Sequence, residues 1–316
     1  MPRQPKSKTR RSLERALTRS ASALFSCLAR GLSLRALRRV ADAAAWLIRM
    51  LVPSRQHVAL DNMRRVFGDR YTDRQYRALA AEVTRGICRT MVELLKSPYL
   101  TPEQLRALVR LHGLEHLHEA LAQGHGVLLL TAHFGNWELM GAMAAREGLP
   151  LAVIARDSQE ASTASLINRS RESHGIEVLE REDTRAMLRA LRNNRILGIL
   201  PDQHAAGGSV IVDFLGRPAA TAVGVATLAA RTGARVVPGF CLRRPDGSFD
   251  VIVQPPLELA QTGDREADLR ANTALMNQVI GEQILAHPEQ WLWLHRRWKV
   301  DSPPPAAPDR ATHPTP

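Results

Sequence analysis

The stretch from Gly126 to Gly141, GVLLLTAHFGNWELMG, limits what this chain can fold into more than any other. Val127, Leu128, Leu129 and Leu130 form an apolar run too short for a free-standing helix, so they read as a strand buried on both faces. Leu139, Met140, Ala142 and Met143 follow at helical spacing. Thr131, Ala132, His133, Phe134, Gly135, Asn136 and Trp137 lie between the two, with Asn136 placed to cap the helix. A strand that turns directly into a helix is half of a βα unit, and open α/β sheets carry their chemistry at that edge.

His133 and Glu138 are the proton-transfer side chains of this stretch. On one continuous helix, at about 100° per residue, they would point roughly 140° apart. With His133 in the loop and Glu138 in the first helical turn, the imidazole can fold back and donate one N–H to the carboxylate. The other ring nitrogen is then a base near neutral pH. In the alternative reading, Glu138 only complements the helix dipole and His133 is an ordinary loop histidine. Spacing alone leaves both open.

Downstream the βα pattern continues. Leu151–Ala155 is a strand ending at Arg156 and Asp157, which brings Arg156 to the same sheet edge as His133. A helix from Ser165 to His174 contains Arg171 and ends at Gly175; the strand Ile176–Leu179, the helix Asp183–Asn193 and the buried strand Ile196–Leu200 follow. That last strand ends at Pro201, Asp202 and Gln203. The alternation predicts an α/β fold, a largely parallel or mixed sheet flanked by helices. A strand-like piece leads to the turn Gly216-Arg217-Pro218, and a helix spans Ala222–Thr232, with a strand at Ala234–Val237. Cys241–Gly247 and Phe249–Val253 form a hairpin around Pro245-Asp246-Gly247, and a long helix spans Asp264–Ala286. In PEQWLWLHRRWK, Trp291, Trp293 and His295 share one face of a strand, as core or as an interfacial belt beside Arg296, Arg297 and Lys299.

The chain ahead of this region is helical and basic. Residues 1–19 read as a basic tail and 20–105 as a helical, membrane-associated region; 106–300 form the catalytic domain and 301–316 a disordered Pro-rich tail. Apolar pieces at Ala21–Ala29 and Ala43–Leu51 are interrupted by arginines and fall short of the ~20 apolar residues of a spanning helix. Helices lying in the membrane interface fit them, with an ordinary surface helix pair as the alternative. Capping boxes are expected at Thr72/Gln75 and Thr101/Gln104, and a helix over residues 55–68 ends at Gly68. With 43 Lys and Arg against 31 Asp and Glu, the net charge of +12 calls for an acidic partner. The cysteines Cys27, Cys88 and Cys241 show no disulfide or zinc spacing, which fits a reducing compartment. His112, His116 and His118 share no single periodicity, so no metal is expected there.

Taken together, TAHFGNWE at 131–138, PDQ at 201–203, FLGRPAAT at 214–221, TGARVVPGF at 232–240 and PEQWLWLHRRWK at 288–299 resemble the lipid A biosynthesis acyltransferases. These are the lauroyl- and myristoyl-transferring branch of the lysophospholipid acyltransferase superfamily, and the likeness covers roughly residues 35–300. The resemblance implies a glycerolipid acyltransferase-like fold and transfer of a fatty acyl group from acyl carrier protein to a hydroxyl of a lipid A precursor. His133 would be the general base, Glu138 its orienting partner and Arg156 an oxyanion-stabilising or substrate-positioning residue. Arg171, Asp202, Gln203 and Asn136 would bind substrate or brace the site. The thioester donor, carried on the phosphopantetheine of acyl carrier protein, is already activated, so neither cofactor nor metal is expected.

The implied partners are acyl carrier protein, a membrane glycolipid acceptor and anionic inner-membrane lipids, with no nucleic acid. The implied location is the cytoplasmic face of the inner membrane, peripheral or N-terminally anchored. Residues 157–165, DSQEASTAS, lack the Asn-Pro common in the family, which loosens the inference about the acceptor. A lysophospholipid, a phosphatidylinositol mannoside or an ornithine lipid is the alternative acceptor. Outside acyl transfer, the alternatives are a thioester hydrolase and a basic membrane-associated binding protein.

Overall fold

The computed structural model describes residues 27–155 and 163–299. The tails expected over 1–19 and 301–316 lie outside them. After a helical stretch over 27–31, three helices follow: α1 (Leu34–Leu51), α2 (Pro53–Phe67) and α3 (Asp73–Lys96). Ser33 caps α1, and Gly68, at φ +56°, ends α2. Both capping boxes are present, Thr72/Gln75 opening α3 and Thr101/Gln104 opening α4 (Pro102–Leu108). In each the threonine hydroxyl and the glutamine side chain satisfy backbone donors that the first helical turn leaves free.

A seven-stranded sheet follows, in the order β1-β9-β8-β2-β5-β3-β4. Its strands are β1 (Val109–His112), β2 (Val127–Leu130), β3 (Leu151–Ala155), β4 (Glu177–Glu180), β5 (Ile196–Ile199), β8 (Arg235–Arg243) and β9 (Phe249–Val253). Between them in sequence run the helices α5 (Leu114–Ala122), α6 (Trp137–Arg146), α7 (Thr163–Glu172), α8 (Thr184–Arg192) and α9 (Gly224–Thr232). The central strand β2 pairs in parallel with β5 on one side and β8 on the other, and every β2 residue is buried. The sheet is therefore mixed: β8 and β9 are antiparallel, and β1 is parallel to β9.

Two local expectations change. The piece at Ala234–Val237 and the hairpin arm from Cys241 belong to one strand, β8. Residues up to Pro238 pair with β2, and Gly239–Arg243 pair with β9, so the Pro-Gly step marks a change of partner. The second change is an added strand, β7 (Arg217–Ala222), antiparallel to β6 (Ser209–Phe214), where the sequence RPAATA shows no alternation of polar and apolar residues. Leu215 and Gly216, both at positive φ, make the turn between them.

The N-terminal helices share the core of the sheet. Ala59, Met63 and Phe67 of α2 and Tyr76, Ala80 and Val83 of α3 pack in one cluster with Leu128, Leu130, Phe240 and residues of α10 (Arg265–Ala286). Trp291 and Trp293 also belong to that cluster and are almost fully buried, so they are core and not an interfacial belt. Among the described residues no helix is long and apolar enough to cross a membrane.

Candidate active site

Strand register brings the site together. Leu130 of β2 lies opposite Ile199 of β5. His133 follows the first and Asp202 the second at the same distance along the chain, so the two side chains leave the same sheet edge next to each other. The loop that carries His133 is pinned at nearly every backbone group. His133 O accepts from Leu292 N (3.0 Å), Gly135 N donates to Gln290 O (2.9 Å) and Asn136 N donates to Cys241 O (3.1 Å). Thr90 of α3 donates its hydroxyl to Gly135 O at 3.0 Å. Gly135 sits at φ +57°, and a Cβ there would overlap the carbonyl oxygen of Cys241, so the loop needs glycine at this point.

His133 makes its bond to Asp202, not to Glu138. The ring Nδ1 lies 2.9 Å from Asp202 Oδ1, and the His133 backbone N–H donates to Asp202 Oδ2 at 3.0 Å. Trp291 Nε1 donates to the same Oδ2 at 2.8 Å. Asp202 is only 1% exposed, and every contact it makes favours its anion. Burial pushes its carboxyl up, but the His133 charge and these three hydrogen bonds outweigh that and hold it below the usual carboxylate range. Burial likewise works against the imidazolium of His133, while the charge and hydrogen bond of Asp202, with Glu138 adding to them, hold His133 above its ordinary value. An anionic Asp202 accepts a hydrogen bond from Nδ1–H, so Nε2 carries the lone pair in the neutral ring. His133 remains 25% exposed, and the Trp137 ring meets its imidazole edge-on at 5.2 Å.

Glu138 has a different partner. Arg171 grips it with two parallel bonds, Nε to Oε2 at 2.9 Å and Nη2 to Oε1 at 2.5 Å, and Trp137 Nε1 donates to Oε1 at 3.0 Å. This is the fork-to-fork geometry that guanidinium and carboxylate favour. Glu138 is 6% exposed; its negative charge reaches His133 through space, and the positive charge of Arg171 works against it. Asn136 caps α6 as expected, accepting from Leu139 N at 2.9 Å. Its amide nitrogen donates to Glu93 at 2.7 Å, a contact across 43 residues that no local pattern foretells.

Glu93, buried in α3, is the hub behind the loop. Its carboxylate accepts from Arg38 of α1 (2.6 Å), from both terminal nitrogens of Arg243 in β8 (2.6 and 2.7 Å) and from Asn136. Gln203 extends its amide nitrogen to 3.4 Å from each ring nitrogen of His133, too long for a strong bond to either. Arg156 lies outside the described residues. Beyond Trp291, Arg297 is fully buried; it donates to Ala220 O and Thr221 Oγ1, both at 2.6 Å, and stacks over Phe214. Burial lowers its pKa to about 10. Among the described residues no cluster of His, Cys, Asp or Glu is arranged to hold a metal.

Beside Trp137, on the side facing α3 and the β8–β9 hairpin, lies a cleft of about 540 Å³. Val83, Ile87 and Leu242 line it together with Arg85, Arg89 and Arg244 and with further polar residues of the β8–β9 hairpin and the segment before Trp291. Each of those arginines is ion-paired, to Glu82, Asp42 and Asp250 respectively. The arrangement as a whole supplies an imidazole oriented through Nδ1, a buried carboxylate behind it and, past Trp137, a cleft of mixed apolar and charged lining. That set can remove a proton from a hydroxyl.

Comparison with known proteins gives the site a context. The family model described as bacterial lipid A biosynthesis acyltransferase matches residues 3–300. A phosphatidylinositol mannoside acyltransferase of Mycobacterium tuberculosis (strain CDC 1551 / Oshkosh) is 33% identical over 217 residues, 66% of this chain and 66% of that protein. The lipid A biosynthesis lauroyltransferase of Escherichia coli (strain K12) is 33% identical over 190 residues, 60% of this chain and 61% of its own. The palmitoleoyltransferase of the same organism is 26% identical over 259 residues, covering 80% and 82%. The chain thus spans about two thirds of the length of the first of these relatives.

Proposed function

The chain belongs to the bacterial lipid A biosynthesis acyltransferase family, and on that premise we propose that it moves a fatty acyl group from an acyl thioester to a hydroxyl of a lipid A precursor. The donor is acyl carrier protein, an acidic partner for a chain of net charge +12. The reaction takes place at the cytoplasmic face of the inner membrane. One observation carries the mechanism: His133 is tied through Nδ1 to a buried carboxylate, which leaves Nε2 as the base.

Nε2 removes the proton of the acceptor hydroxyl as its oxygen attacks the thioester carbonyl. The resulting oxyanion needs donors positioned before the reaction, and Arg156, from its place after β3 in sequence, is proposed to serve. Collapse of the intermediate breaks the C–S bond, and the leaving sulfur takes the proton from the imidazolium. The product is an ester and a free thiol, with no net proton released. Asp202 fixes the tautomer and stabilises the imidazolium in the part first expected of Glu138. Glu138 adds negative charge from a distance, held in place by Arg171. The cleft beside Trp137 is proposed to receive the donor's acyl chain, its volume lying in the usual range for ligand sites.

Replacing His133 by Ala should lower transfer from acyl carrier protein by about 10²- to 10⁴-fold, the usual contribution of a general base. Full activity in that variant, with the fold intact by circular dichroism, would remove His133 from the reaction. A second acceptor is favoured by one of the relatives, whose name specifies a phosphatidylinositol mannoside. Mass spectrometry of membrane lipids from cells with and without the protein separates the two, because the one-acyl mass difference appears in only one lipid class.

A further inference from the structure

Arg297 is a guanidinium buried without a carboxylate. Among the described residues no acid lies within ion-pair distance of it, and it is fully buried. Its terminal nitrogens donate to two neutral oxygens, Ala220 O and Thr221 Oγ1, each at 2.6 Å. Its Nε has no partner, and the Phe214 ring lies under it at 4.7 Å. Burying an ion that only neutral groups solvate is unfavourable, and an apolar side chain of similar volume would fill the space at lower cost. A pKa lowered to about 10 still leaves Arg297 charged at neutral pH. A cation kept inside the protein on such terms points to a use for its charge.

Two short routes lead from Arg297 to Asp202. Phe214, the ring under Arg297, packs against Trp291 with centroids 5.5 Å apart, and Trp291 Nε1 donates to Asp202 Oδ2 at 2.8 Å. Ala220 O, which takes Arg297 Nη1, also accepts from Ala205 N at 3.2 Å, on the loop that carries Asp202. The clamp is fixed from behind, because Asn277 of α10 donates to both Thr221 Oγ1 (3.0 Å) and Asp213 O (2.8 Å). When His133 is neutral, every donor that Asp202 bonds among the described residues is neutral too. A buried anion and a buried cation therefore stand apart, in an interior where charges act more strongly than in water.

We propose that Arg297 is a positioning residue of the His133 site: it clamps the Asp202 loop to β7 and, from behind Phe214 and Trp291, supplies the cation that balances Asp202. A direct ion pair would occupy a carboxylate oxygen and turn Asp202 away from the imidazole. At a distance, the guanidinium leaves both oxygens to His133 and Trp291. The same positive charge opposes the imidazolium that forms in proton transfer, so it keeps His133 a neutral base to lower pH. The charged and titratable groups around Arg297 are Asp202, His204, His295 and Lys299; those around His133 are Asp202, Glu138, Arg171 and His295. Burial, then Lys299 and Arg297, hold His204 and His295 below their ordinary value, so the positive field of this segment is felt at the site. The kinetic consequence rests on the proposed acyl transfer; the charge balance does not.

The test titrates the His133 ring by NMR in the full chain without substrate, its resonance assigned by its loss in His133→Gln. Arg297→Met removes the charge and keeps much of the volume, while Arg297→Lys keeps the charge with fewer donors. In Arg297→Met the His133 midpoint should rise by about half a unit, less than the roughly 1–3 units of a charge in direct contact. In Arg297→Lys it should stay at the wild-type value. Thr221→Val removes a hydrogen bond to Arg297 but no charge, so it should lower the urea midpoint and leave the titration in place. Where acyl transfer is measured, the acid limb of kcat/KM should move up with the His133 midpoint in Arg297→Met alone. If Arg297→Met does not fold, Arg297→Gln, which can still donate to Ala220 O, carries the same comparison. An unmoved midpoint in the uncharged variant, or an equal displacement in Arg297→Lys or Thr221→Val, would reduce Arg297 to a structural clamp and overturn the proposal. The titration needs no acyl transfer, so an inactive enzyme leaves the charge balance standing, and an unmoved midpoint leaves His133 as the base.

Discussion

His133 sits between two opposed effects. Burial favours the neutral ring, while the Asp202 anion and its hydrogen bond favour the charged one, and the anion prevails. A base acts only when neutral, so the proposed activity should fall as pH drops through this raised pKa. The acid limb of kcat/KM is therefore expected above the usual histidine value of 6.5. In Asp202→Asn the amide keeps the shape but not the charge, so kcat should fall about 10²-fold or more and the acid limb should move to lower pH. A pH profile of both proteins checks this; an unmoved limb would mean that Asp202 does not act through His133. The sequence placed His133 at a strand end and paired it with the nearest carboxylate along the chain. The carboxylate it meets is 69 residues away. It arrives because β5, not β3, is the neighbour of β2, and strand order is not written in either strand's own pattern.

At the scale of elements, the loop from His133 to Asn136 works because a glycine lets two backbones touch. Gly135→Ala adds a Cβ against the Cys241 carbonyl at a positive φ. Its expected cost is about 1–3 kcal/mol of stability, in the range for a residue forced into a strained conformation. The displaced loop should also lower kcat, and urea denaturation with steady-state kinetics on one preparation checks both. The helix ends were legible because caps are local: Thr72 with Gln75, Thr101 with Gln104, and Asn136 all do what their spacing predicts. Strand β7 was not legible, because RPAATA carries little apolar patterning. It is held by pairing with β6, while Arg297 from the far end of the chain bonds Ala220 and Thr221.

For the whole molecule, Glu93 joins the N-terminal helices to the sheet and the loop. Arg38 comes from α1, Arg243 from β8 and Asn136 from the start of α6, and all converge on this carboxylate, which is 2% exposed. Glu93→Gln leaves two partly buried arginines, Arg38 and Arg243, without their buried anion. Removing one partner of a buried ion pair typically costs about 3–5 kcal/mol, so the urea midpoint should fall markedly. A loss within about 0.5 kcal/mol, the ordinary range for surface substitutions, would show that the hub does not hold the two parts together. The sequence by itself determined what is local: the run of βα units, the caps, the glycine and histidine of the loop, and a basic N-terminal half made of helices. Its motifs carried the family likeness. Only the tertiary structure decided which charges meet. Arg243 reaches Glu93 across 150 residues and Asn62 reaches Trp293 across 231, distances along the chain that no periodicity spans. The physical reason is that backbone patterning is set by neighbours in sequence, whereas a buried carboxylate is satisfied by whichever donors the packed elements bring within about 3 Å. The partners of His133, Glu138 and Glu93 were therefore settled when the strands took their order and the helices closed over them.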